Sequence, residues 1–213
     1  MKQSPQQERN HKLGESLAKA LNIRHFWACY CPNKEDAVQQ ALALIPDGNS
    51  VTWGGSDTIR AIGLTQEVKK GNYIVHDRDT VPSENWSDYA KKHYFSDTYL
   101  TSVNAVSEDG QLCLIDGTGN RAASLIFGPK NIIVIVGINK VVKTAEDAMK
   151  RVRNIASPIN CQRFANAKTP CSITGECADC KSPDSICASM VTLRLCNPKE
   201  KIKVIIVGEN LGY

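Results

Sequence analysis

Four cysteines stand close together near the end of the chain. Cys171, Cys177, Cys180 and Cys187 follow one another as C-x5-C-x2-C-x6-C. Thiolates are soft ligands, and four converging on one point are the usual complement of a structural zinc or an iron–sulfur cluster. Cys177 and Cys180 form a C-x2-C pair, but a second such pair is missing. The spacing therefore suits zinc imperfectly and a cubane cluster only as an irregular variant. Cys161 could replace one of the four, while Gly175 and Pro183 let the segment turn tightly. Two disulfides, or simple reduced thiols, are the alternatives. Cys29, Cys31, Cys113 and Cys196 lie in strand-like stretches and read as small buried hydrophobes.

A second constellation spans residues 104–130, where Asn104, Glu108, Asp116, Asn120 and Arg121 bracket apolar residues. If both strand ends face one cleft, Glu108 and Asp116 are candidates for acid–base work and Arg121 for holding a carboxylate. The plainer alternative is a hairpin whose turn is Glu108-Asp109-Gly110, with Asp116 capping the next loop. A third feature is the turn Gly54-Gly55-Ser56 between a strand and a helix. Glycines there allow close approach, and free backbone N–H groups attract a phosphate or carboxylate. An ordinary turn with Ser56 as helix cap is the alternative.

The elements that must position these residues alternate. Residues 4–21 carry Leu13, Leu17, Ala20 and Leu21 at helical spacing. An extended stretch reaches Pro32, and Asn33 caps a helix through Ile45. A strand at 50–53 runs through the glycine turn into one helix over about 57–70, stopped by Gly71. A strand at 73–76 and a helix around 83–94 follow. The stretches 99–107 and 111–116 read as a hairpin pair joined by Asp-Gly. A short helix covers 121–127. The run 132–138 is continuously apolar, as in a central strand covered on both faces. A helix over 144–157 ends at Pro158, and two strands, 189–196 and 201–207, close the chain. Two parts are expected: residues 1–32 as a helical segment with an extended arm, and 33–213 as the main domain, carrying a cysteine-rich insert at 161–187. The alternation argues for a layered α/β sheet with some antiparallel pairing.

Composition narrows the function. The 213 residues are 42% hydrophobic, enough for a full core. The net charge of +4 comes from scattered Lys and Arg, so no nucleic-acid footprint is expected. No apolar run approaches a membrane span, and the first residues lack a signal-peptide core. Nine cysteines without such a leader favour a reducing compartment, so a cytoplasmic protein is expected.

Several stretches together resemble the LUD domain family, the lactate-utilization group that includes lactate utilization protein C. They are WGGSDTIRAIGL (53–64), residues 104–142, RVRNIASPIN (151–160), the cysteine segment 169–187 and VGENLGY (207–213). The match covers most of the chain from about residue 34, within a stand-alone branch bearing a C-terminal cysteine cluster. The resemblance implies an open layered mixed sheet of the ribose-5-phosphate isomerase and CoA transferase-like type. It implies a ligand site at Gly54, Gly55 and Ser56 beside Asn104, Asn120 and Arg121, for a small carboxylate or phosphate. By analogy with CoA transferases Glu108 is the nearest glutamate, and with sugar-phosphate isomerases Lys140 is the nearest lysine. The group's context is lactate oxidation with iron–sulfur partner subunits. The chain lacks the C-x2-C-x2-C-x3-C-P pattern of the ferredoxin-like subunits. The expected role is thus a redox-associated accessory or catalytic subunit in 2-hydroxy acid utilization, with Cys171, Cys177, Cys180 and Cys187 holding an iron–sulfur centre. The alternative is a transferase or isomerase acting on a phosphorylated or CoA-linked molecule, with the cysteines as a zinc clip.

Overall fold

The computed structural model describes residues 4–213, with the side chains of residues 83, 87 and 93 aside. Residues 1–3 of the expected N-terminal segment lie outside the described residues.

The apolar run expected as a central strand is one. In β7 (Asn131–Gly137), residues 132–136 are fully buried. It lies inside a six-stranded, all-parallel sheet with β1 (Trp27–Cys31), β2 (Ser50–Trp53), β3 (Ile74–His76), β4 (Thr98–Thr101) and, last in the chain, β10 (Ile202–Val207). The strand order is β1-β10-β7-β4-β2-β3. Side chains alternate between the two faces of a strand, and this builds two cores. Ile132, Val134 and Val136 join Val204, Ile206, Tyr99 and Phe26 on one face. Ile133 and Ile135 join Ile205, Leu100 and Trp53 on the other.

Helix α1 (Pro5–Ile23) covers the first face, placing Leu17 and Leu21 in that core. Its start is fixed by a capping box between Ser4 and Gln7. Both α1 and β1 pack with the central sheet, α1 through Leu17 and Leu21 and β1 by pairing with β10. Helices α2 (Lys34–Ala43), α3 (Asp57–Ala61) and α4 (Leu64–Lys70) cover the second face. The single helix expected over 57–70 is two, because Gly63 takes a left-handed conformation (φ 77°) that breaks the spiral. Short helices α5 (Trp86–Ala90) and α6 (Lys92–Phe95) fill the region expected as one helix.

The antiparallel pairing lies in a second sheet. The stretch 99–107 is not one hairpin arm. It leaves the central sheet after β4 and re-forms as β5 (Ala105–Ser107). There it pairs antiparallel with β6 (Leu112–Asp116) and parallel with β8 (Val141–Val142), while β6 also pairs with β9 (Ser189–Leu193). The Asp-Gly turn is as expected, with Gly110 at φ 88°. Helix α7 (Asn120–Phe127) follows β6. Behind the second sheet lies α8 (Ala145–Arg151), continued by a π-helical turn at Val152–Ala156 and by α9 (Ser157–Cys161). Pro158 does not end this helix. It sits in the first turn of α9, where its missing N–H is tolerated, and Ser157 Oγ donates to Val152 O at 2.9 Å. Helix α10 (Pro170–Thr174) opens the cysteine segment with its own capping box between Thr169 and Ser172.

Candidate active site

Parallel sheets place ligands beyond the carboxyl ends of their strands, and a cleft of about 580 Å³ opens there. Residues following β2, β3, β4, β6, β7 and β10 all line it. One wall belongs to the cysteine segment, through Pro183, Ser185 and Ile186. Gly117, directly after β6, packs on it so closely that an added Cβ would lie 3.3 Å from Ile186 Cα.

The floor is cationic. Lys140 follows β7, is 2% exposed and donates to Thr58 Oγ1 (2.9 Å), Ser102 Oγ (3.1 Å) and Val103 O (3.2 Å). Burial, with the charges of Arg151 and Arg121 beside it, brings its pKa down to about 7. Arg121, in the first turn of α7, donates to Ser102 O, to Asn104 Oδ1 (2.8 Å) and to Ile115 O (2.7 Å). Arg151 comes from the far side and donates to Asn104 O (2.6 Å) and Asn139 O (3.2 Å). Burial lowers the pKa of both arginines. Asn104 thus receives one guanidinium on its side chain and another on its backbone. Among the described residues, none of these three cations makes an ion pair within 4.0 Å, and the oxygens that accept their hydrogen bonds are neutral. Asp116 lines the cleft, with Oδ2 accepting from Ala122 N (2.9 Å), so it fixes the start of α7. Asp116 offsets part of the Arg121 charge and Asp57 part of that of Lys140, and a bound anion would relieve more of the cost of burying these cations.

The glycine turn borders the cleft, with Ser56 capping α3. Gly55 and Ser56 line the cleft, and Ser56 Oγ accepts from Ile59 N (3.4 Å). Helix α3 has only five residues, too few for a sizeable helix dipole. The glycines make room for neighbours instead. A Cβ on Gly54 would lie 2.3 Å from Tyr99 Oη, and one on Gly55 2.5 Å from Arg78 Nη1.

Of the residues singled out in the sequence, Gly55, Ser56, Asn104, Asp116, Asn120, Arg121 and Lys140 meet in the cleft. Gly54 stands just behind it. Glu108 does not join them. It lies in the hairpin turn and pairs with Lys143 at 2.5 Å. Sequence reasoning missed Asp57, Thr58, Arg78, Ser102, Arg151 and Arg163. Thr58 and Ser102 follow strand ends, a signal that could have found them. The arginines arrive from loops and helices distant in the chain and carried no local signal.

The cysteine segment presents Cys171, Cys177, Cys180 and Cys187 half-buried, and none is in a disulfide. Burial raises the Cys187 pKa, and the nearby thiols of Cys171, Cys177 and Cys180 raise it further. Cys171 also neighbours the buried Cys161, and Thr169 Oγ1 lies 3.1 Å from the Cys161 sulfur and 3.3 Å from that of Cys171. The donor chemistry suits a soft metal or a cluster. Among the described residues, no three His, Cys, Asp or Glu side chains are gathered to hold a metal ion. Among the same residues, no helix is long and apolar enough to cross a membrane.

Comparison with solved structures finds a DUF162 family protein from Deinococcus radiodurans. The match covers 93% of this chain and 98% of that one, at 16% identity and a TM-score of 0.54, and it shows a shared fold. Ribose 5-phosphate isomerase A from Methanocaldococcus jannaschii matches 53% of this chain and 55% of its own at 20% identity, with a TM-score of 0.34. eIF2B delta from Chaetomium thermophilum matches 55% and 50% at 14% identity, with a TM-score of 0.36. No curated protein matches the chain. The LUD domain model matches residues 14–207, nearly the whole chain, and the protein belongs to the LUD domain family.

Proposed function

We propose that the cleft binds a small 2-hydroxy or 2-oxo acid, and that the protein is a redox-associated subunit of lactate-type utilization. The observation that carries this reading is the buried Lys140 and half-buried Arg121 in the cleft, with buried Arg151 behind them, all hydrogen-bonded to neutral oxygens. A carboxylate would add negative charge beside Lys140 and Arg121, whose guanidinium is already positioned by Ser102 O, Asn104 Oδ1 and Ile115 O. Lys140, with a pKa of about 7, is partly neutral at physiological pH. In that form it can take the proton of a substrate hydroxyl. Oxidation of a 2-hydroxy acid releases two protons and two electrons. Four free thiols on the segment that walls the cleft are donors of the right kind for an iron–sulfur centre, with Cys171, Cys177, Cys180 and Cys187 as its ligands. Such a centre would accept one electron at a time, so both electrons would have to pass through it in turn to the iron–sulfur partner subunits of this proposal, with the second proton leaving to solvent. Iron–sulfur partner subunits in a cytoplasmic setting belong to the same proposal.

Calorimetry with L-lactate and pyruvate, and glycerol as the uncharged control, tests the anion site. Binding of the acids alone, weakened roughly tenfold or more by Arg121→Gln, is expected from the loss of charge-assisted hydrogen bonds. Equal binding by wild type and variant would refute it. Metal content and a visible spectrum on protein purified without oxygen test the thiol centre. Iron with labile sulfide, lost in Cys177→Ser, is expected.

A second reading rests on Lys140 and Asp116 sharing the cleft, an amine and a carboxyl group side by side in one lining. These would suit a transferase or isomerase acting on a phosphorylated or CoA-linked molecule, with the thiols as a zinc clip. Zinc without iron, and binding of phosphate esters in preference to lactate, would favour it.

A further inference from the structure

The cleft has room for more than a three-carbon acid. Its volume of about 580 Å³ falls in the range of sites that enclose drug-sized ligands. Its outer half differs from its floor. Arg78 stacks on Trp86, the guanidinium carbon 4.1 Å from the ring centroid, and makes no ion pair within 4.0 Å among the described residues. Arg163 faces it from the other rim, near enough that the two charges repel. Beside Arg163 stands Phe164, 49% exposed although it lines a cleft of charged and polar groups. Its position is fixed by turns on both sides, with Phe164 N donating to Cys161 O (3.0 Å) and Ala167 N to Phe164 O (3.0 Å). A half-exposed aromatic ring on a fixed stretch of backbone, in a cleft that Arg78 and Arg163 also line, is suited to a planar ring carrying negative charge, because the ring can stack while the arginines hold the anion.

From this arrangement we infer that the outer cleft binds the base and phosphate of a nucleotide, Phe164 stacking on the base and Arg78 with Arg163 holding the phosphate. Asp57 forms an ion pair with Arg163 at 3.7 Å, which a phosphate would share, and its carboxylate can accept from ribose hydroxyls. This inference rests on the proposed function only in assigning the floor to a separate anion.

Calorimetric titration of the full chain with adenosine monophosphate, adenosine and inorganic phosphate tests it. Adenosine monophosphate is expected to bind roughly tenfold or more tightly than inorganic phosphate, since one stacked base contributes on that scale. Phe164→Ala should bring it down to the affinity of phosphate, while Phe164→Tyr, which keeps the ring, should retain the preference. Arg163→Gln should weaken both phosphate-bearing ligands. Pyruvate should bind with nucleotide already present. Equal affinities for the nucleotide and phosphate, or displacement of nucleotide by pyruvate, would overturn the inference. Pyruvate binding with no nucleotide binding would overturn it and leave the proposed function standing, and the reverse pattern would sustain it while overturning that function's floor site.

Discussion

Replacing Lys140 with methionine removes a charge that the fold holds at a loss, and the size of the effect depends on pH in a calculable way. The amine is 2% exposed, with Arg121 and Arg151 as neighbouring like charges and Asp57 as the opposing one. Its pKa falls from 10.5 to about 7. Between those values the unfolded chain holds a proton that the folded protein has released, so stability rises with pH across this window. Below about pH 7 both states are protonated and the full penalty applies. The slope approaches about 1.4 kcal/mol per pH unit. Allowing for half-protonation at pH 7, the rise from pH 7 to pH 9 is about 2 kcal/mol. Urea unfolding of wild type and Lys140→Met at pH 7, 8 and 9, in a buffer without small carboxylates or phosphate, reads it directly. Taking the difference between the two proteins cancels the titration of other groups, and the hydroxyls and carbonyl left behind by Lys140 do not titrate in this range. Wild type should gain on the variant by about 2 kcal/mol over the interval. A difference that stays flat would mean that Lys140 keeps an ordinary pKa, and the excess of positive charge in the cleft floor would fall with it.

Asp116→Ala should cost about 1–2 kcal/mol in urea unfolding, because its carboxylate accepts the Ala122 N–H at the start of α7. Glu108→Gln should change stability by less than about 1 kcal/mol and leave lactate binding unaltered, since it breaks only an ion pair with the largely exposed Lys143. Gly54→Ala should destabilise by about 1–3 kcal/mol and shift the near-ultraviolet signal of Tyr99, whose hydroxyl a methyl group would strike.

Much of the scaffold could be read from residue order because its signals are local. The run at 132–136 needs both faces covered, so its place inside a parallel sheet followed from its composition. Asn33 as a cap and Gly110 as a turn residue follow from side-chain chemistry within a few residues. The division of 99–107 between two sheets was not legible, because Ser102 and Asn104 at the crossing read equally well as polar positions within one continuous strand. Asn104 and Arg121 stood out because polar residues interrupt strong strand patterns. Glu108 stood out for the same reason, yet a turn residue at the far end of the hairpin points away from the sheet's carboxyl edge. Arg151 lies on a helix whose pattern explains only its packing, and its approach to Asn104 arises from tertiary placement alone.

The chain passes from the central sheet to the second one twice, at 102–104 between β4 and β5 and at 138–140 between β7 and β8. These passages lie side by side. Lys140 bonds across to Ser102 and Val103, and Arg151 bonds to both Asn104 and Asn139. These two adjacent straps, bonded to one another, tie the sheets together where the cleft opens. The cations of the cleft floor are rooted in those straps. Bending would therefore alter their spacing, and an anion seated among them would stiffen the joint. The protein would then register an occupied cleft mechanically, as a change in the angle between its two sheets, and would transmit that change to the cysteine segment joined to the second sheet through β9.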